Sequence, residues 1–234
     1  MEMTEATVNA FLERPHSILV GKRRYYLYPL TLGKSLLLQR LIASLNINES
    51  VIREMPTFEV LRIVKNNRYT CLRLVYYCIC RGKDEVFDAD YSQATVNYLS
   101  ENLNDDELST LLLTALSMTG ADEIMDELGI TEENNMLRSV LDAKQGGSGL
   151  TFGGKSIYGT FVDPLCERYG WTMDYVVWGI SYANGRLLLA DKVNTIYLNE
   201  DERKRVPRSV LSKDEDTIRA TKENMDIIKQ MDWR

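Results

Sequence analysis

The sequence predicts a mainly α protein: a helical domain with a small N-terminal β-hairpin, a glycine-rich linker and a helical C-terminal extension. Three observations carry this. Apolar residues recur at three- and four-residue steps through most of the chain, two short β-favouring runs flank Gly21-Lys22, and five glycines fall within 146–155. The expected organisation is a hairpin plus helical body over 1–145, a linker over 146–160 and a helical extension over 161–234.

Each element has a local cause. Ser17–Tyr28 reads as the hairpin, turning at Gly21-Lys22, with Tyr25 and Leu27 alternating with Tyr26 and Tyr28 and Pro29 stopping it. Thr31 caps a helix running to about Leu45, and a short segment from Glu49 to Glu54 ends before Pro56. Thr57–Arg81 is a long helix with Leu61, Val64, Arg68, Leu72, Val75 and Ile79 on one repeating stripe; its middle is apolar on most sides, as a central core helix requires. Asp88 or Asp90 opens the next helix, ending near Leu103. Asn104 and Glu107 then form a capping box ahead of the Leu108–Leu116 stripe, closed by Gly120. Short helices follow from Asp122 to Gly129 and from Thr131 to about Lys144. Beyond the glycines, Asp163-Pro164 starts a helix closed by Gly170. Thr172 opens an apolar segment to Leu198, weakened at Asn184-Gly185. Glu200–Arg208 reads as a solvated charge run, and Lys213–Trp233 as a polar terminal helix with Ile218, Met225, Ile228 and Met231 on one side.

Composition narrows the function. The 234 residues carry a net charge of −6, with 44% hydrophobic and 26% charged residues, an ordinary globular balance that opposes bulk affinity for nucleic acid or anionic membranes. Met1–Glu5 shows no basic stretch leading into an apolar core, so no signal peptide is expected, and no apolar run approaches the ~20 residues of a membrane helix. Charge is segregated. Arg14–Arg81 holds twelve bases and three acids, whereas Lys83–Glu133 holds fourteen acids and one base. Either the two segments neutralise each other on folding, or they form faces of opposite sign suited to head-to-tail association or a charged partner.

Chemistry-bearing constellations are few. The single histidine, His16, excludes paired-histidine mechanisms, and it sits beside Pro15 with no nucleophile-elbow serine in the chain. Cys71, Cys78, Cys80 and Cys166 match neither a zinc nor a redox spacing and read as small buried hydrophobes in a reducing compartment. Acid pairs such as Asp105/Asp106, Asp122/Glu123 and Glu132/Glu133 fall in first helical turns, where the dipole favours them. No catalytic residue, metal ligand or cofactor site is expected. Gly149–Ser156 matches G-x-x-x-x-G-K-[ST] through Gly149, Gly154, Lys155 and Ser156. A phosphate loop also needs a strand entering and a helix leaving it, however, and here a helical segment precedes the loop while Gly159 and Pro164 make a poor helix start. The pattern is read as linker. Arg23-Arg24 and Arg203–Arg205 read as solvated faces in the absence of a nucleic-acid-binding motif.

Two stretches together resemble the tail assembly chaperones of long-tailed bacteriophages and prophages. Gly21–Arg40 is similar to that family's opening, a hairpin running through Tyr28-Pro29-Leu30-Thr31 into an amphipathic helix, and Asn104–Leu116 with Gly120 fits its helical body. Leu165–Trp178, with Tyr169-Gly170-Trp171-Thr172, is similar to the helix of its C-terminal extension. The resemblance implies a non-enzymatic protein of the bacterial host cytoplasm that binds the tape-measure protein and recruits tail-tube subunits, with self-association left open and no part for nucleic acid or membrane. It also makes the Gly153–Lys155 join a frameshift boundary. A structural virion protein of the neck or tail end and a nucleotide-binding factor using the Gly149–Ser156 loop are the alternatives. The aromatic face of Trp171, Tyr175 and Trp178 is the expected partner surface, with simple core packing as the competing reading; Tyr25 and Tyr26 are hairpin packing first and a contact patch second.

Overall fold

A computed structural model describes residues 4–117, 120–144 and 154–211. The fold is mainly α with one two-stranded antiparallel sheet. The chain divides into two units, Met1–Glu127 with Gly153–Asp191, and Leu128–Phe152 with Lys192–Arg234. The 154–191 segment, read from the sequence as linker and extension, thus packs with the N-terminal helices.

In the first unit a short helix α1 (Glu5–Phe11), capped by Thr4, precedes the hairpin β1 (His16–Val20) and β2 (Arg23–Leu27). The register pairs Val20 with Arg23 and His16 with Leu27, leaving Gly21-Lys22 as a two-residue turn. Gly21 takes φ +56° and Lys22 does not, the type II′ arrangement whose twist suits a hairpin. Val20 and Leu27 are buried and Ile18 and Tyr25 pack inward, so alternation along the strands aims one face at the helices.

Thr31 caps α2 (Leu32–Ile42), Asn48 caps α3 (Glu49–Glu54), and Pro56 opens α4 (Pro56–Ile79). From Cys71 onward α4 buries Leu72, Leu74, Val75, Tyr76, Tyr77, Cys78 and Ile79 and forms the centre of the core. It is kinked at Asn67 (φ −138°, ψ 39°), where the guanidinium of Arg68 reaches the carboxylate of Asp105 and the carbonyl of Leu103. A cation at the C-terminal end of a helix meets orphan carbonyls there. Around α4 lie α5 (Lys83–Phe87), α6 (Ala89–Asn102), capped by Asp88, and α7 (Asp105–Ser117), whose Asn104/Glu107 capping box is present in both directions (2.8 and 2.9 Å). α8 (Ala121–Glu127) closes this part, and the Glu127 carboxylate accepts from Thr4 and Thr7 at the start of α1.

The 154–191 segment differs from the expected pattern in two places. A π-helical turn (Tyr158–Val162) runs directly into α10 (Asp163–Tyr169), so a helix does begin across Gly159 and Pro164. Gly154, at φ +66°, lies so close to Gly159 that a side-chain carbon at Gly159 would sit 2.9 Å from its Cα. The apolar segment after Thr172 breaks at Gly179–Ser181 instead of Asn184-Gly185. α11 (Met173–Trp178) ends there and Ser181 caps α12 (Tyr182–Ala190). Gly185 lies inside α12 with the Phe161 ring packed on it, 2.4 Å from where a Cβ would stand; here glycine serves close approach.

This segment is anchored to the hairpin–α2 corner. The Tyr182 N–H donates to the Leu30 carbonyl (2.7 Å), Thr31 bridges Ser181, and Leu32 joins a cluster with Phe161, Val162, Leu165 and Val176. Glu13, in a left-handed turn (φ 52°), accepts from the Ser181 N–H (2.8 Å) and from Asn184 Nδ2 (3.0 Å), while Arg186 holds Asp122 (2.7 Å).

The second unit contains α9 (Ile130–Ala143), which follows Gly129 in a left-handed turn, and α13 (Glu200–Arg203). The expected solvated run at Glu200–Arg208 instead opens on a capping box between Asn199 and Glu202, and both Glu202 and Val206 are buried. The predicted terminal helix Lys213–Trp233 lies outside the described residues. Among the described residues no helix is long and apolar enough to cross a membrane.

Candidate partner-binding surface

Gly170 ends α10 with φ +66° and turns the chain so that Tyr169 and Trp171 lie ring on ring, 4.8 Å apart at 24°. Thr172 then caps α11, accepting from the Tyr175 N–H (3.2 Å), and this places Tyr175 edge-on to Trp171 at 5.1 Å and 72°. The Arg168 guanidinium lies over the Tyr169 ring at 5.2 Å while donating to the Leu188 carbonyl (2.9 Å). The result is a ladder of one cation and three rings, an offset arrangement in which each member favours the next. Tyr175 is fixed at its outer end because its ring crosses Gly179, 2.3 Å from where a Cβ would be. Tyr169 and Trp171 are half-buried against the Leu32–Phe161–Leu165 cluster, whereas Tyr175 is 45% exposed and Met173 52% exposed.

Trp178, predicted to share this face, does not join the ladder. Its ring lies on Gly33 of α2, 2.7 Å from where a Cβ would stand, and it meets Phe87 edge-on at 5.6 Å. It is a packing residue that lets α11 lie on α2. Lys83 of α5 reinforces that joint by pairing with Asp174 (2.7 Å), which raises the lysine's pKa.

Tyr25 and Tyr26 separate as strand alternation requires. Tyr25 packs inward on Tyr98 (6.3 Å), and Tyr26 faces outward beside Tyr28 (6.5 Å). Of the phosphate-loop residues, Gly149 lies outside the described residues, while Gly154, Lys155 and Ser156 are exposed. Ser156 Oγ accepts from the Gly159 N–H (3.4 Å) at the start of the helix. The leaving helix is therefore present, but the strands among the described residues are the antiparallel hairpin alone.

Sequence reasoning missed a buried cation. Lys34 is 1% exposed; its Nζ donates to the Cys80 carbonyl and stands 5.6 Å from the centre of the Tyr28 ring. Burial pushes its pKa below the ordinary 10.5. The neighbouring thiols are buried as the sequence suggested, and burial pushes Cys78 up to about 12, which leaves it protonated and inert. Among the described residues no group of His, Cys, Asp and Glu is placed to hold a metal ion. His16 and Arg14 line a cavity of about 440 Å³ with Glu123 and Glu127, between α1, α8 and the start of α12.

Comparison with protein-family models, with curated proteins and with solved structures found no match.

Proposed function

We propose that this protein is a tail assembly chaperone, acting by covering apolar surface on a tape-measure protein and recruiting tail-tube subunits. The observation that carries the reading is the Arg168–Tyr169–Trp171–Tyr175 ladder, because it is built from the same Leu165–Trp178 stretch that resembles the family's extension. Its outer ring, Tyr175, offers an exposed aromatic contact whose geometry is set before a partner arrives. Rigid aromatic surface of this kind binds at low entropic cost. A long amphipathic partner needs its stripe shielded until a tube encloses it, and a helical protein bearing a preformed contact performs that without making or breaking a bond.

The test is co-expression with the tape-measure protein of the same phage. The reading expects that protein to become soluble and to co-purify, and expects the doubly substituted Met173→Ala, Tyr175→Ala chain to lose co-purification while keeping its own melting temperature. A tape-measure protein that stays insoluble, with nothing co-purifying, overturns it.

A further inference from the structure

The hairpin has an unused edge. In a two-residue turn the flanking pair Val20–Arg23 exchanges both backbone hydrogen bonds, and bonding alternates from there. Ile18–Tyr25 and His16–Leu27 are therefore the other bonded pairs, and the N–H and C=O groups of Ser17 and Leu19 point away from β2. β1 has no second neighbour in the sheet, and among the described residues no hydrogen bond reaches those groups. Exposed strand edges of this kind are templates for another strand.

Beside that edge runs a groove of about 500 Å³. Ile18 and Leu19 line one wall; Leu103, Asp106, Glu107 and Leu111, from the α6–α7 corner and α7, line the other. Gly21 closes the turn end, with Asn102 packed where its side chain would be. At the opposite end His16 and Thr114 line both this groove and the 440 Å³ cavity, so the floor continues past the strand. Leu19 is 69% exposed, an apolar side chain on the outer face at the middle of the edge. The wall facing it is acidic, since Asp106 and Glu107 stand in the first turn of α7 and Glu107 uses one oxygen to accept from the Asn104 N–H (2.8 Å).

We propose that this groove is a peptide-binding site in which an extended, basic segment of a partner protein adds to β1 as a third strand. Backbone bonds to Ser17 and Leu19 would give affinity. Side chains on the outer face of the added strand would lie beside Leu19, and those turned to the α7 wall would meet Leu111 and the carboxylates of Asp106 and Glu107. Five residues of β1 match a bound segment of about 17 Å. The site lies apart from the aromatic ladder and does not depend on the chaperone reading.

The probe is a short fluorescein-labelled peptide of alternating lysine and valine, titrated against the full chain by anisotropy. Saturable binding is expected, with no binding by the matching glutamate–valine peptide and slowed hydrogen exchange at the Ser17 and Leu19 amides in the complex. Leu19→Pro removes an outward donor at an edge position where proline is tolerated, and should weaken binding at least about tenfold, the worth of 1.4 kcal/mol. Asp106→Lys keeps the backbone edge and should weaken it through charge alone. Absence of saturable binding overturns the proposal. So does wild-type affinity in Asp106→Lys with unprotected Ser17 and Leu19 amides, a result readable even if Leu19→Pro fails to fold.

Discussion

Lys34→Met tests the buried cation directly. In the folded protein Lys34 has a carbonyl and a ring face as partners, at the Cys80 oxygen and Tyr28, and its attraction to Glu85 is weaker than the burial that opposes its charge. Its pKa is therefore lower folded than unfolded. Between the lowered folded value and 10.5 the unfolded chain holds a proton that the folded chain has lost, so acidification favours unfolding and stability rises with pH. One proton sets the ceiling of that slope at about 1.4 kcal/mol per pH unit. The buried thiols act the other way, because their raised pKa values make the folded state retain protons above the ordinary 9.0, so their effect begins only there. At neutral pH the substitution exchanges two opposed effects. It orphans the Cys80 carbonyl, at about 1–3 kcal/mol, and it relieves the cost of burying an ammonium group, of the same order or larger. Net stability should therefore move little, and the slope is the discriminating readout. Urea denaturation of both proteins over the range that ends at the ordinary 10.5 should show the wild type gaining stability with pH relative to Lys34→Met. Equal slopes would refute the assignment of Lys34 as a desolvated, depressed lysine.

Two further outcomes follow from the packing and the ion pairs. Gly33→Ala places a methyl group 2.7 Å from the Trp178 ring and should cost about 1–3 kcal/mol by overpacking, lowering the melting temperature; Trp178→Phe in the same chain should recover part of it, and an unchanged melting temperature in the single variant would contradict the joint between α2 and α11. Glu59 is 1% exposed and accepts from the Asn48 N–H (2.7 Å) and from Arg62 Nε (2.8 Å), bonds that hold its carboxyl at about 2. Its contribution is complete above the ordinary 4.5 and is lost as pH falls toward 2, so a melting series in acid should fall more steeply for the wild type than for Glu59→Gln.

Most of the fold was legible because its causes are local. Gly21-Lys22 between β-favouring runs, Thr31, Asn104 and Thr172 as caps, and Gly170 as a left-handed stop are short-range signals, and each stands where the pattern placed it, while of Asp88 and Asp90 it is Asp88 that caps α6. Short-range signals were also misread where a distant contact supplied the reason. Gly185 looked like a helix breaker, but only the ring of Phe161 packed on it explains why a glycine is there. Asn67 interrupts α4 within an otherwise continuous apolar stripe. Lys34 stands at i, i+3, i+4 and i+7 with Leu37, Leu38 and Leu41, on the apolar face of α2, but a lysine there reads as solvated, and its burial depends on Cys80 and Tyr28 brought there by other elements. The aromatic face was half legible: Trp171 and Tyr175 share a ladder, but the glycine opposite Trp178 lies well over a hundred residues earlier and gives no sequence signal.

The charge segregation now has a physical place. Where the basic α4 lies along the acidic α7 it does so through an apolar seam, with Val64, Cys71, Leu72 and Val75 in the same core as Leu108, Leu111, Leu112 and Ala115. Arg68–Asp105 joins the two helices at the kink, and a partly exposed pair of that kind contributes at most about 1 kcal/mol. Apolar burial therefore holds α4 to α7, and the charges need not neutralise one another for the fold to form. Asp122 and Lys83 turn instead to Arg186 and Asp174, joining α8 to α12 and α5 to α11. Asp106 and Glu107 remain on the surface beside a free strand edge. An acidic wall that the core does not require, next to backbone groups that nothing in the described fold satisfies, is the combination a basic extended partner would complete.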